Sequence, residues 1–440
     1  MDRALYIFYK DLNMHHQLEE VAGSFEILPF FLWSEWLNQD VDDTPSLRYR
    51  LALAKRFNDT VLPQGVNLLT GDVDIPEIIS VCQLYKINDV FMRKHYEPRE
   101  KEFQERLVEE LTSFGIKCVL LEGYTAVPVG AVLKSDGTPY VKFTPYYHKW
   151  RTKLCASKRR KVEVNWTLQG LVPPILDDSS HVFVEEDFKA LGKFLTKGWQ
   201  HYSTERNYPY LDSTSHASAL INHGGIAVSD LISHLLSLPV HDEIEAFIRQ
   251  LAWRDFYITV LWYFPYSEDQ NFDRRKKVNW SNQAMDFFVW CQGQTGYPIV
   301  DAAMNCLYDT GRMHNRLRMI VSSFLTKDLL ITWKEGANWF KEHLIDYDLA
   351  LNVGGWQWAA STGADSVPYF RIFNPIIQSE KYDPHGVFIQ KHIDMLHGVA
   401  TDRIHEPQKY GVPYFAQYVD HRLTQKNIGQ YFQKVTITKN

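Results

Sequence analysis

The chain has 440 residues with 47 Lys+Arg against 53 Asp+Glu, 45% apolar and 23% charged. It is long enough for two domains, and its composition excludes a disordered, collagen-like or coiled-coil protein. A net charge of −6 excludes a uniformly basic nucleic-acid coat but leaves room for a local basic surface. Five cysteines, Cys82, Cys118, Cys155, Cys291 and Cys306, never reach a C-x-x-C spacing, which argues against structural zinc and a disulfide framework. The N-terminus MDRALYIFYKDLN has too short an apolar run for a signal peptide, and no apolar stretch reaches the roughly 18 residues of a membrane span. A soluble, cytoplasmic protein without metal is expected.

The first 135 residues read as alternating strands and helices. ALYIFY (4–9), EILPFFLW (26–33), VNLLT (66–70), DVFMR (89–93) and KCVLLEG (117–123) are short runs rich in β-branched or aromatic residues. Residues 47–58, 76–85 and 99–114 between them carry helical periodicity, which predicts βαβ units and a parallel sheet. No G-x-G-x-x-G follows any of these strands. From Val127 to Pro174 the pattern gives way to Gly, Pro and Lys/Arg, including KRRK at 158–161 and ending in LVPP, so a long surface connector is expected. Helical signals dominate from Glu185 onward, over 242–263, 280–290, 298–308 and 313–330. Eight of the 13 tryptophans lie between Trp253 and Trp358, most beside charged or amide residues. Helix-core packing explains any one of them, but the cluster asks for a second explanation.

Four constellations could carry chemistry. In QLAWRDFY, Gln250, Trp253 and Arg254 fall at i, i+3 and i+4, so a helix presents an amide, an indole and a guanidinium together. Either a ligand uses them, or Arg254 pairs with a carboxylate while Trp253 packs. In RMHNRLRM, Asn315, Arg318 and Met319 repeat that spacing, and the lack of a second His at i+4 removes the H-E-x-x-H metal reading. In LIDYDLALNVGGWQWAASTG, Asp346, Asp348 and Asn352 precede Gly354-Gly355, Trp356 and Trp358. That reads as a loop or helix end approached by a ligand, or as an Asp-capped helix with a Gly terminator. In LDSTSHASAL, Ser213, Thr214, Ser215 and Ser218 surround a helix start that suits an anion or simple capping.

Taken together, WRDFY, TGYPIVDAAM (295–304), MHNRLRM, DYDLALNVGGWQWAASTG and PYFRIFNP (368–375) resemble the photolyase/cryptochrome family of flavoproteins. The likeness runs from Gln250 to Gln390 and extends to GTPYVKFTPYYHKW (137–150) and to 202–218. It implies an N-terminal Rossmann-like α/β domain with a parallel sheet (1–130), an interdomain connector (131–184) and a C-terminal all-helical FAD-binding domain (185–440). By the same resemblance Tyr202, Thr214, Ser215 and Ser218 surround the FAD phosphates with Arg254 nearby. Asp346, Asp348 and Asn352 match positions around the flavin ring and ribose, with Asp346 able to pair with Arg318. Trp356, Trp333 and Trp280 match the family's electron-transfer chain from flavin to surface.

The activity implied is light-driven repair of cyclobutane pyrimidine dimers in UV-damaged DNA by a monomer, the dimer being flipped out of the duplex. Asn315, Met319, Trp253 and Trp358 match pocket positions, and Arg316 and Arg371 match positions near the DNA backbone. Six-four photolyases carry two histidines where this chain has Asn315 and Met319, which favours the cyclobutane dimer. Gln250 stands where cyclobutane-dimer enzymes usually have Glu, so reduced repair is expected. A cryptochrome-like blue-light receptor is the alternative. Such receptors usually extend past the flavin domain, whereas this chain ends about 65 residues beyond PYFRIFNP. FYKDLNMHHQ departs from the family's F-R-R-D-L-R-x-x-D-N, and Arg312 and Phe247 stand where tryptophan is common. An antenna chromophore, a folate, a deazaflavin or another flavin, would sit against the α/β domain, where Glu97 fits a folate-contacting acid.

Overall fold

The computed structural model describes residues 1–33, 43–63, 66, 68–72, 75–156, 162–167 and 181–434. The KRRK run and the LVPP end of the connector lie outside the described residues. The chain forms two compact units, Met1–Gln200 with Ser215–Tyr263, and His201–Thr214 with Phe264–Asn440.

In the first unit, β1 (Asp2–Phe8), β2 (Phe25–Trp33), β3 (Leu69–Asp72), β4 (Asp89–Arg93) and β5 (Lys117–Leu121) form one sheet in the order β3-β2-β1-β4-β5. Every neighbouring pair is parallel, with Ala4 opposite Ile27 and Asp89. Ala4 to Phe8 are fully buried, which explains why this strand reads as an unbroken apolar run. The links between strands carry α1 (His16–Ala22), α2 (Pro45–Thr60), α3 (Ile75–Tyr85) and α4 (Pro98–Ser113). Ile78 and Cys82 of α3 and Phe103, Leu107 and Leu111 of α4 pack on Leu5, Ile7, Leu28 and Val90 of the sheet.

The strand order reverses between β1 and β4, which makes the ground beyond their carboxyl ends the switch point of the sheet. A buried charged cluster fills it. Tyr6 Oη donates to Asp11 Oδ2 at 3.0 Å, His15 Nε2 lies 3.4 Å from the same oxygen, and Lys10 pairs with Glu97 at 3.4 Å and with Glu100.

The connector is not all loop. Phe143, Tyr146, Tyr147 and Trp150 make an i, i+3, i+4, i+7 stripe, and residues Phe143–Lys153 form α5 with that stripe buried. The Gly, Pro and Lys content around the stripe hid it. The unit is completed by α6 (His181–Thr196), α7 (Ala217–Asn222), α8 (Val228–Ser237) and α9 (Asp242–Tyr263). The helices from Ser215 to Tyr263 group with the sheet-bearing residues rather than with the later helices. Tyr49 donates to Asp187 Oδ2 at 2.7 Å, and Asp255 Oδ2 accepts from Trp150 Nε1 at 2.9 Å and Val127 N at 3.1 Å. Burial raises the Asp255 carboxyl to about 6.

The second unit is mostly helical, with α10 (Ala284–Cys291), α11 (Pro298–Thr310), α12 (Asn315–Ser323), α13 (Trp333–His343), α14 (Leu349–Ala359), α15 (Pro375–Tyr382), α16 (Val387–His392) and α17 (His421–Asn427). It also holds a small antiparallel ladder, β6 (Lys276–Val278) with β7 (Phe432–Lys434), so it is not purely helical. The helix expected from residue 280 starts only at Ala284, because Asn282 sits at φ +49°. The stretch after α12 widens into a π turn over Phe324–Asp328 rather than continuing α-helical to 330. Gly354-Gly355 neither ends a helix nor opens a loop: both lie inside α14, carried by burial of Val353, Trp356 and Ala359.

Candidate functional site

Helix α14 is capped by Asp348, whose Oδ1 accepts from Leu351 N at 2.9 Å. One turn further, Asn352 and Trp356 are four residues apart on the side that meets α13. Asn352 Nδ2 donates to Ala337 O at 2.9 Å, and the Trp356 ring meets Phe340 edge-on at 4.9 Å between centroids. Gly336 makes room for that indole: a Cβ there would overlap the ring, with Cζ2 only 2.6 Å away. Asn352 Oδ1 and Trp356 Nε1 are buried without a hydrogen-bond partner among the described residues.

Trp333 and Trp356, each 2% exposed, belong to one apolar core, and the partly exposed Trp280 packs against it. Trp333 Nε1 donates to Asn271 Oδ1 at 3.0 Å. Gln357 ties down the segment bearing Asn271, giving Nε2 to Ser267 O (2.7 Å) and Gln270 O (3.0 Å) and taking Phe272 N (2.8 Å).

At the start of α12, His314 Nδ1 accepts from Arg316 N at 3.1 Å, leaving Asn315 exposed with its amide 3.9 Å from Met319 Sδ. Arg318 Nη2 donates to both Asp346 oxygens at 2.8 and 2.9 Å, and its Nε donates to Met313 O. Arg316 is held down rather than extended, donating to Asn207 Oδ1 at 2.7 Å and lying 4.3 Å over the Tyr382 ring. Arg371 is exposed, and Trp358 is half-buried, 6.5 Å from Phe373. Tyr202 is buried with Arg206 over its ring, Thr214 is half-buried, and the buried Ser213 Oγ has no partner among the described residues.

The first unit places the remaining candidates. On α9, Gln250 Nε2 folds back to Ala246 O at 3.2 Å. Trp253 stacks flat on Phe143 of α5, with centroids 3.6 Å apart and planes at 6°. Arg254 is buried, donating from Nη1 to Tyr124 O at 2.9 Å, while its Nε and Nη2 have no partner among the described residues. The three therefore do not present one common surface. Ser215 Oγ accepts from Ala217 N, and Ser218 is exposed. Glu97 is engaged by Lys10 in the switch-point cluster.

The family model described as the FAD binding domain of DNA photolyase matches residues 247–434, and the DNA photolyase model matches residues 16–163. The deoxyribodipyrimidine photo-lyase of Salmonella typhimurium is 34% identical over 444 residues, 93% of this chain and 93% of that protein. The chain belongs to the DNA photolyase family. The corresponding enzyme of Alkalihalophilus pseudofirmus is 42% identical over 296 residues, spanning 63% of this chain and 62% of that relative. A bacterial class III photolyase from Agrobacterium tumefaciens superposes with a TM-score of 0.83 at 26% identity, covering 98% of this chain and 97% of that one.

The residues present fit the photolyase cofactor, FAD. Its ring edge and phosphates need hydrogen-bonding partners, and within the second unit buried polar atoms of Asn352, Trp356 and Ser213 have no partner among the described residues. Among the described residues no group of His, Cys, Asp and Glu could hold a metal ion, and no helix is long and apolar enough to cross a membrane. Gly336, Gln357 and Asn271 escaped the sequence reading. A glycine inside the helical pattern KEGANWF and an amide between two tryptophans in W-Q-W were the available signals. TGYPIVDAAM also acquires a structural reason. Asp301 accepts from Thr295 N (2.8 Å), Thr295 Oγ1 (2.6 Å), Gly296 N (3.0 Å) and Tyr414 Oη (2.7 Å), and burial raises its carboxyl to about 6.

Proposed function

We propose that this protein is a deoxyribodipyrimidine photo-lyase that splits cyclobutane pyrimidine dimers in UV-damaged DNA under blue light. The observation that carries the reading is the pair of buried, unpaired polar atoms on Asn352 and Trp356, in a segment matched by the photolyase FAD model. FAD, reduced and bound, supplies the electron that light sends to the dimer.

The chain's own residues bind, orient and insulate. Tyr202, Thr214, Ser215, Ser218 and Arg254 hold the phosphate side of FAD, and Asp346, Asp348, Arg318 and Asn352 hold its ring and ribose. The Arg318–Asp346 pair fixes a carboxylate within the site without leaving an unpaired charge. Trp356, Trp333 and Trp280 form the electron-transfer chain, a role supported by their shared core and by the partial exposure of Trp280 alone. Asn315, Met319, Trp253, Trp358 and Gln250 receive the dimer, while Arg316 and Arg371 meet DNA phosphates. Gln250 can donate an amide hydrogen to a pyrimidine carbonyl but cannot carry a proton. Residues 1–130 serve as an antenna-type domain, 131–184 as connector and 185–440 as the catalytic part, and the protein works as a cytoplasmic monomer.

The test is repair of a cyclobutane thymine dimer in a short DNA strand by purified protein with reduced FAD, in blue light and in darkness. Light-dependent restoration of the thymines is expected. Flavin-loaded, reduced protein that leaves the dimer intact in light would overturn the reading and point to a receptor or to another lesion.

A further inference from the structure

The three indoles of the proposed electron-transfer chain stand in different surroundings. Trp356 is buried and its Nε1 finds no partner among the described residues, Trp333 is equally buried but donates to Asn271, and Trp280 is partly open to water. An oxidised indole carries a positive charge and is a far stronger acid than the neutral ring. A hydrogen bond accepted from its N–H stabilises that charge, and this counts most where water is absent.

We infer that Asn271 is a positioning residue for electron transfer. Its amide oxygen makes Trp333 easier to oxidise than Trp356, yet is too weak a base to remove the Nε1 proton. Light-excited oxidised FAD, when bound, would be the oxidant that takes one electron from Trp356; Trp333 then gives one electron to Trp356, becomes a radical cation, and keeps its proton on Nε1. It is refilled by one electron from Trp280, which is restored in turn by one electron from a small thiol in solution, the thiol losing its proton to water and leaving as a thiyl radical. The positive charge therefore moves outward to water and the proton at Trp333 never leaves. A carboxylate at 271 would take that proton and trap the oxidised state as a neutral radical.

Asn271 is fixed from two sides. Its Nδ2 donates to Lys276 O at 2.9 Å, so the amide is oriented with oxygen toward Trp333, and Gln357 anchors the backbone on both flanks through Gln270 O and Phe272 N. Both polar atoms of this amide are engaged within the protein.

The inference rests on the electron-transfer chain proposed above, and the experiment separates the two. Flash absorption on the FAD-loaded protein, in the oxidised state with thiol present, is compared for wild type, Asn271→Leu, Asn271→Asp and Asn271→Gln, with melting temperatures recorded alongside. Asn271→Leu should lower the fraction of oxidising equivalents that reach Trp280 by roughly tenfold, the consequence of losing a hydrogen bond to a charged group. Asn271→Asp should convert the transient from the cation to the shorter-wavelength neutral radical and lengthen its life, and Asn271→Gln should restore part of the yield. A destabilised fold alone would lower the melting temperature without changing the radical's protonation. If wild type oxidises no tryptophan, the chain itself is overturned and this role with it. Wild-type oxidation with unchanged yield and spectrum in the Leu and Asp variants overturns the role of Asn271 only.

Discussion

Two glycines inside helices of the second unit should respond to alanine with opposite signs. At Gly336 the added methyl would overlap the Trp356 indole, which would have to retreat by roughly 1.5 Å to regain van der Waals distance. Phe340 and Trp290 stand against the ring, at 4.9 and 6.1 Å between centroids, so it has little space to yield. Overpacking of this kind costs about 1–3 kcal/mol, against a helix gain of about 0.5–1 kcal/mol on replacing glycine. With relaxation blocked, Gly336→Ala should lose about 1–2 kcal/mol net. At Gly355, exposed on α14, an added Cβ meets nothing within 4 Å, so Gly355→Ala should gain about 0.5–1 kcal/mol. Urea midpoints followed by tryptophan fluorescence give both values, and near-ultraviolet circular dichroism reports the indole's setting. Equal shifts for the two variants, or a stabilised Gly336→Ala with an unchanged aromatic spectrum, would refute the cradle argument.

Gln250→Glu should raise the repair yield per photon, measured by actinometry on a thymine-dimer strand; no change or a fall sinks the explanation of reduced repair. Burial holds His15 and His95 at about 4, so below their ordinary value near 6.5 the folded form binds fewer protons than the unfolded one and stability falls as pH drops from 6.5 towards 4. The loss is roughly 2 kcal/mol for each histidine by pH 5. Asp255, Asp301 and Asp328, raised by burial to about 6, act in the opposite direction over the same range because their folded forms bind the extra proton. Since both histidines and only one of these acids belong to the first unit, hydrogen exchange at pH 5 against pH 7 should show β1 and β4 losing protection relative to α11; equal changes would contradict the assignment. Lys327, fully buried, meets Ser361 Oγ (2.7 Å), Ala360 O (3.3 Å) and the Phe432 ring (3.9 Å), and burial depresses its pKa. Lys327→Met should therefore stabilise by about 1 kcal/mol at neutral pH and remove the gain that wild type makes as pH rises towards the ordinary lysine range, both read from urea midpoints.

The sheet was legible because buried parallel strands write themselves as short apolar runs. DVFMR became β4 residue for residue, and ALYIFY and EILPFFLW matched β1 and β2 within two residues at each end. The helix over 242–263 was equally plain. What failed was reading local composition as local structure. The Phe143 to Trp150 stripe lay among Gly, Pro and Lys, and Gly354-Gly355 looked like a terminator although Val353 and Trp356 bury the helix through it. The candidate residues could be picked out as types and spacings, but their companions could not. Which carbonyl receives Arg254, or which amide meets Trp333, depends on residues 130 and 62 positions away, a distance no periodicity reports.

The first unit is discontinuous, and this bears on how the chain is born. Its sheet is finished by residue 121, but its packing also needs α7, α8 and α9, so it can close only once Tyr263 has emerged from the ribosome. At typical elongation rates of about 5–20 residues per second, the remaining chain takes roughly ten to thirty seconds more. Over that interval the second unit lacks β7, which can pair with β6 only once Lys434 has been made. This half is therefore completed later than the first, and its partly made core is the longer exposed to aggregation.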